Sequence, residues 1–243
     1  MNTKNIFQQM NDDYLDDLTV RLSHHSTAIE GNTISLNDTA TIILNDTLPT
    51  RTRISKREFY EVENHGRAVQ FILDELVNNK PLDLYGVQKI NELLLDRLIR
   101  HAGKFKTQEN AIRGADFETA PPSQTPFLCH QWFDNTMYRL EHANSDEEKI
   151  KEILSSHIDF ERIHPFQDGN GRTGRLVMFY LMLQENMYPF VITKEDKNHY
   201  LDVLSHKDIS GFYELVVPCI EREKAMLAKF NYSTYDVSLD EAP

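Results

Sequence analysis

The stretch HPFQDGNGRTGR, His164 to Arg175, gathers a base, a carboxylate, three glycines and two arginines into one short run. Those residue types together handle phosphate. Gly169 and Gly171 let the backbone take positive φ and bring its N–H groups close to a ligand with no Cβ in the way. The apolar run from Leu176 to Leu183 is too long for an average strand and reads as a buried helix, whose N-terminus faces the loop. The helix dipole and the free N–H groups of its first turn then act on the same anion. Arg172 and Arg175 share one helix face and offer forked, permanently charged donors to a polyphosphate. Asp168 supplies the hard oxygen by which Mg²⁺ is held when phosphates complete its shell. His164 can take a proton from an attacking hydroxyl near neutral pH. Each feature alone has an ordinary structural reading, but their crowding beside a buried helix favours a site.

Gly169 to Gly174 has the GxxxxG spacing of a P-loop, yet Arg175 stands where its lysine belongs and Leu176 where its Ser/Thr belongs. The preceding segment also reads as helix instead of strand. The stretch resembles the signature HxFx[DE]GNGRxxR of the Fic family, with His164, Phe166, Asp168, Gly169, Asn170, Gly171, Arg172 and Arg175 at every fixed position. The resemblance implies an all-α enzyme, a Fic-type helical bundle with a small β-hairpin flap, that moves AMP from Mg-ATP to a hydroxyl of a target protein and of itself. It implies His164 as general base and Asp168 as Mg²⁺ ligand. Asn170 and the glycine amides would line the α- and β-phosphates, and Arg172 and Arg175 would grip the β- and γ-phosphates. Thr173 and Gly174 fall in the same turn and are placed with the nucleotide, and Phe166 anchors the loop.

The elements that position this loop can be read from apolar spacing. Leu15, Leu18 and Leu22 mark an amphipathic helix from Asp12 to about His25, running into STAIEGN. Gly31 and Asn32 terminate it, which puts Glu30 at the negative end of the dipole, an unfavourable place open to two readings, an exposed glutamate or one paired with a cation from elsewhere. Ser26, Glu30 and Gly31 resemble the inhibitory motif [ST]xxxE[GN] of Fic proteins whose inhibitory helix, about 12–31 here, precedes the catalytic core. By that resemblance Glu30 pairs with Arg175 and Ser26 steadies the helix.

Capping boxes at Ser35–Asp38 and Ser55–Glu58 open two further helices, the second carrying Glu61, Asn64 and His65 on what reads as a solvated face. A helix from about Asp83 to Arg100 follows. Between His101 and Pro122 the helical period fails, and a hairpin around Ile112–Phe117 is expected. There Ile112, Arg113 and Gly114 resemble the flap that pairs with a target's main chain. Thr125–Pro126 and Ser145–Glu148 start the next helices, the second delivering His164 just before Pro165 and burying His157 as a core histidine. Tyr200, in the helix TKEDKNHYLDVL, is open to two readings, stacking on the adenine or filling the core. The last helix spans about Asp208 to Phe230, with Pro218 expected to kink or divide it. The division expected is N-terminal helices over 1–80, catalytic core over 81–230 and a disordered tail over 231–243.

Twenty-six Lys and Arg against 38 Asp and Glu give a net charge of −12, which argues against nucleic acid or an anionic membrane as the partner. Cys129 and Cys219 lie far apart and fit neither a disulfide framework nor a zinc site. With no signal-like or membrane-spanning run, a cytoplasmic protein is expected. ATP, Mg²⁺ and a target protein are the expected partners, and homo-oligomerisation is open. Transfer of UMP, or nucleotide sensing without turnover, remains compatible with a loop that reads phosphates and says little of the base.

Overall fold

A computed structural model describes residues 5–49, 53–110 and 119–237, with only the backbone described for 233–237. The described residues form nine α-helices: α1 (Asp12–Ile29), α2 (Leu36–Asn45), α3 (Lys56–Val77), α4 (Leu84–Leu94), α5 (Thr125–His142), α6 (Asp146–Ile163), α7 (Asn170–Gln184), α8 (Lys197–His206) and α9 (Ile209–Val237). The expected all-α class holds. The β pairing among the described residues is one isolated antiparallel bridge between Phe105 and Phe166. The expected hairpin around Ile112–Phe117, with Ile112, Arg113 and Gly114, lies outside them.

Helix α7 is the beam of the bundle. Every residue from Leu176 to Leu183 is at most 3% exposed, and a fully buried large apolar side chain stabilises by about 1.5–3 kcal/mol. Helices α6 and α4 pack along it, with α3 and α1 against its N-terminal half. One apolar cluster runs from Met10 in the N-terminal segment to Leu227 in α9, and a small second one joins Ile34, Ile42 and Val62 beneath α2. Local chemistry sets the starts: Asn11, Ser35, Ser55, Asp83 and Ser145 cap α1, α2, α3, α4 and α6 by accepting from backbone N–H groups.

The structure departs from the sequence-based expectations at three elements. Helix α4 ends at Leu94, short of Arg100, because the buried Asn64 amide takes the carbonyls of Leu94 and Asp96 at 3.2 and 2.7 Å, and Arg97 then turns to φ 61°. Asn64 and His65 are fully buried, not solvated, since α3 is covered by α1 on one side and α4 on the other. Helix α9 continues past Phe230 to Val237 and is not divided at Pro218, so 231–237 is helix where a disordered tail was expected. Among the described residues no helix is long and apolar enough to cross a membrane.

Candidate active site

Helix α6 ends at His164, whose left-handed backbone (φ 49°, ψ 59°) costs on the order of 1 kcal/mol for a residue with a Cβ. The turn swings the imidazole back over the last turn of α6. There Nδ1 lies 3.3 Å from the Glu161 carbonyl oxygen and 3.5 Å from Glu161 Oε2. A carbonyl only accepts, so in the neutral ring the hydrogen sits on Nδ1 and Nε2 keeps a free lone pair.

The loop beyond is fixed by hydrogen bonds from several directions. Pro165 O accepts from Lys106 N at 2.8 Å. Phe166 is buried between Phe105 and Phe160. Its N–H donates to Asn170 Oδ1 at 2.8 Å, and its carbonyl accepts from Asn170 Nδ2 at 2.8 Å and Asn110 Nδ2 at 2.7 Å. Both polar ends of the Asn170 side chain are therefore spent on the loop. Gly169 takes φ 75° as the N-cap of α7, where a Cβ would press on Leu95 and Asn91. Asn91 Nδ2 holds the loop from behind, donating to Asp168 O and Thr173 Oγ1 at 3.1 Å each.

Thr173 N–H is the first in α7 to pair within the helix, with Gly169 O at 2.9 Å. That leaves the N–H groups of Asn170, Gly171 and Arg172 directed out of the helix N-terminus. Thr173 and Gly174, expected at the nucleotide, turn into the core instead, because the helix rotates about 100° per residue away from its open end. Thr173 is wholly buried with its hydroxyl donating to Gly169 O. A Cβ on Gly174 would stand 2.6 Å from the His157 ring.

The two arginines part company. Arg172 is 3% exposed, meets Asp168 Oδ1 at 3.3 Å through Nη2, and has buried Nε and Nη1 groups with no hydrogen-bond partner. Arg175 Nε donates to Ser26 Oγ at 2.9 Å, and its Nη2 donates to Ser26 O at 2.9 Å and Glu30 Oε1 at 2.8 Å. Burial works against its charge, but Tyr200 and Glu30 outweigh that and hold Arg175 more firmly protonated than usual. Glu30 is the C-cap of α1, with Gly31 at φ 102° behind it, so the cation that meets the dipole mismatch is Arg175. A Cβ on Gly171 would lie 2.5 Å from Glu30 Oε1, which makes this glycine part of the seat for the carboxylate.

Tyr200 is a correction. It is 1% exposed, its ring lies along His157 and edge-on to Phe212, and Arg175 sits 5.7 Å over its centroid. Neither face is open to an adenine. Its hydroxyl contacts His157 Nε2 at 2.7 Å and accepts from Arg175 Nη1 at 3.3 Å. His157 is the core histidine expected, neutral because burial lowers its pKa to about 4.

Asp168 faces Arg57 Nη2 at 3.2 Å and is partly open to solvent. Among the described residues no group of three or more His, Cys, Asp and Glu could hold a metal ion. A lone half-open carboxylate suits Mg²⁺ when phosphate oxygens and water complete the shell, and does not suit a cation held by protein alone. Arg57, Asn91 and Glu161 were not singled out from sequence. The first two reach the loop from α3 and α4 with no chain proximity to betray them, whereas Glu161, three residues before His164 on the same helix face, offered a local signal.

A model of the Fic/DOC family matches residues 81–182. A protein adenylyltransferase Fic of Aedes aegypti is 29% identical over 209 residues, covering 82% of this chain and 40% of that protein. Another of Drosophila yakuba is 28% identical over 207 residues, with the same 82% and 40% coverage. The chain thus spans about 40% of the length of these relatives. Among solved structures, a Fic domain containing signaling protein from Bacteroides thetaiotaomicron superposes with a TM-score of 0.80 at 22% identity, over 91% of this chain and 89% of that one. Fic-1 from C. elegans superposes with a TM-score of 0.71 at 21% identity, over 98% of this chain and 68% of the other. The matched segment contains α4, the whole His164–Arg175 loop and nearly all of the buried α7 beam, so over residues 81–182 this chain is similar to the Fic/DOC family.

Proposed function

We propose that this chain transfers AMP from ATP to a hydroxyl side chain of proteins, itself included, and that Glu30 restrains the reaction by occupying Arg175. The observation that carries the reading is the buried Arg175 guanidinium, set one turn into α7 beside its open N-terminus and held by Ser26 and Glu30. The relatives, each a protein adenylyltransferase Fic, support the same chemistry.

In this reading the hydroxyl oxygen attacks the α-phosphorus, the new P–O bond forms as the bond to the bridging oxygen breaks, and pyrophosphate leaves. Nε2 of His164 receives the hydroxyl proton. The N–H groups of Asn170, Gly171 and Arg172 hold the α- and β-phosphates at the positive end of α7. Nε and Nη1 of Arg172, which make no hydrogen bond and of which Nη1 faces Glu61 Oε1 at 3.8 Å, take a β-phosphate oxygen, and Arg175 clamps the γ-phosphate once Glu30 yields. Asp168 holds Mg²⁺, which supplies positive charge to the phosphate oxygens when bound.

Glu30 is 43% exposed on its side chain, so the restraint is a single charge-assisted hydrogen bond at the rim of the site. Such a bond contributes about 1.5–3 kcal/mol, a factor of roughly 10 to 100 in occupancy. Glu30→Gly should raise label transfer from α-³²P-ATP to protein by that order. Arg175→Ala should lose it, with or without Glu30. Label arriving only from γ-³²P-ATP would indicate a kinase-like reaction, and nucleotide binding without transfer a sensing module. Equal rates for wild type and Glu30→Gly would remove Glu30 from regulation.

A further inference from the structure

Glu161 is a buried ionisable group to which the proposed transfer gives no task. Its side chain is 7% exposed, Oε1 has no hydrogen-bond partner, and Oε2 lies 3.5 Å from His164 Nδ1. A carboxylate taken out of water without full pairing costs several kcal/mol, so a residue kept in that state calls for an account. Burial pushes its ionisation upward, yet the contact with His164 and the nearby Arg175 guanidinium act against burial, and Glu161 is held below the usual carboxylate range. The space it occupies exists because position 174 is glycine: a Cβ there would come within 3.2 Å of Glu161 Oε1 and 2.6 Å of the His157 ring. The groups around it are His157 and His164 on its own helix, Arg175 on α7, and Tyr200 on α8, which joins His157 to Arg175.

We propose that Glu161 is a positioning residue for His164. Its carbonyl and carboxylate both flank Nδ1, which keeps the hydrogen on that nitrogen and leaves Nε2 free for the hydroxyl proton. When Nε2 takes that proton, the ring becomes an imidazolium with Glu161 as its buried counter-charge, as an aspartate serves the histidine in a Ser-His-Asp triad. The left-handed backbone of His164 is what brings the ring back to its own helix, so the strained conformer and the acid form one device. This inference rests on the transfer reading and adds to it the group that sets the state of its base.

The test uses the full chain carrying Glu30→Gly, with and without Glu161→Gln, which keeps the volume and an acceptor but removes the charge. Transfer kcat should fall about 10- to 100-fold while KM for Mg-ATP and Tm change little. The share of the neutral His164 ring that carries its hydrogen on Nδ1, read from its ¹⁵N NMR shifts, should fall. Glu161→Asp, which keeps the charge, should recover part of both. Unchanged ¹⁵N shifts of the His164 ring overturn the proposal, as does a kcat that declines only in step with Tm and ATP affinity. If the Glu30→Gly parent transfers nothing, the functional reading fails, and the NMR comparison still decides whether Glu161 governs His164.

Discussion

His164 touches the acceptor side of the proposed reaction and none of the groups assigned to the triphosphate. His164→Ala should therefore abolish transfer while leaving Mg-ATP affinity, measured by calorimetry, within about threefold of wild type. Retained transfer would falsify its role as base. Gly174 makes the opposite kind of prediction, one of packing. Its Cβ would meet the His157 ring, which is backed by Tyr200 and Phe212 and has nowhere to retreat. Gly174→Ala should cost about 1–3 kcal/mol by overpacking, seen as a lower midpoint in urea. A midpoint equal to wild type would mean that the ring moves aside freely.

Helix α1 bears Ser26 and Glu30, so whatever docks α1 also sets the restraint. Its docking is ionic as well as apolar. Glu223 of α9, 1% exposed, accepts from both Nη atoms of Arg21, at 2.5 and 3.0 Å, and from the Tyr14 hydroxyl at 3.1 Å. Burial opposes the charge of Arg21, but Glu223 and Asp17 more than offset it and hold the guanidinium protonated. Truncating one partner of a buried pair costs about 3–5 kcal/mol because the other is left uncompensated. Glu223→Gln should therefore loosen α1, raise transfer in the otherwise wild-type chain, and add nothing in the Glu30→Gly chain, where no restraint remains to be released. An equal increase in both backgrounds would separate α1 docking from inhibition.

The molecule as a whole carries its histidines neutral in the core, with a consequence for acid stability. Burial lowers His65 to about 3 and His157 to about 4, with nearby Arg175 acting in the same direction on both. In the unfolded chain each takes up a proton near pH 6.5, whereas the folded protein keeps it off until the lowered value is reached. The unfolded state thus binds more protons through that window, and stability falls as pH falls from about 6.5 to about 4, by up to roughly 3 kcal/mol per histidine. Glu161, held below its ordinary value, adds a further loss only under about pH 4.5. Tm should accordingly drop by several degrees between pH 7 and pH 5, and a flat profile over that interval would show that the two rings are protonated in the folded state.

The His164–Arg175 loop and the helices flanking it were legible because their chemistry is local. Base, carboxylate and glycines sit within a few residues of a helix N-terminus, and the run Leu176–Leu183 can only be buried. Glu30 was half legible: a carboxylate at a helix C-terminus pointed to a cation or to solvent, but nothing in its own segment said that a cation lay 145 residues away. The directions of side chains were not legible. Asn170, Thr173 and Gly174 belong to the same motif as Arg172, yet they close the loop or face the core, because a helix turns each successive residue to a different neighbour. Asn64 and His65 looked solvated, since a helix with a second covered face cannot be told from its own period. Tyr200 was poised between two uses until Arg175, His157 and Phe212 closed around it. Spacing along the chain sets which groups share an element, whereas burial and pairing across the chain depend on which elements meet, and packing alone settles that.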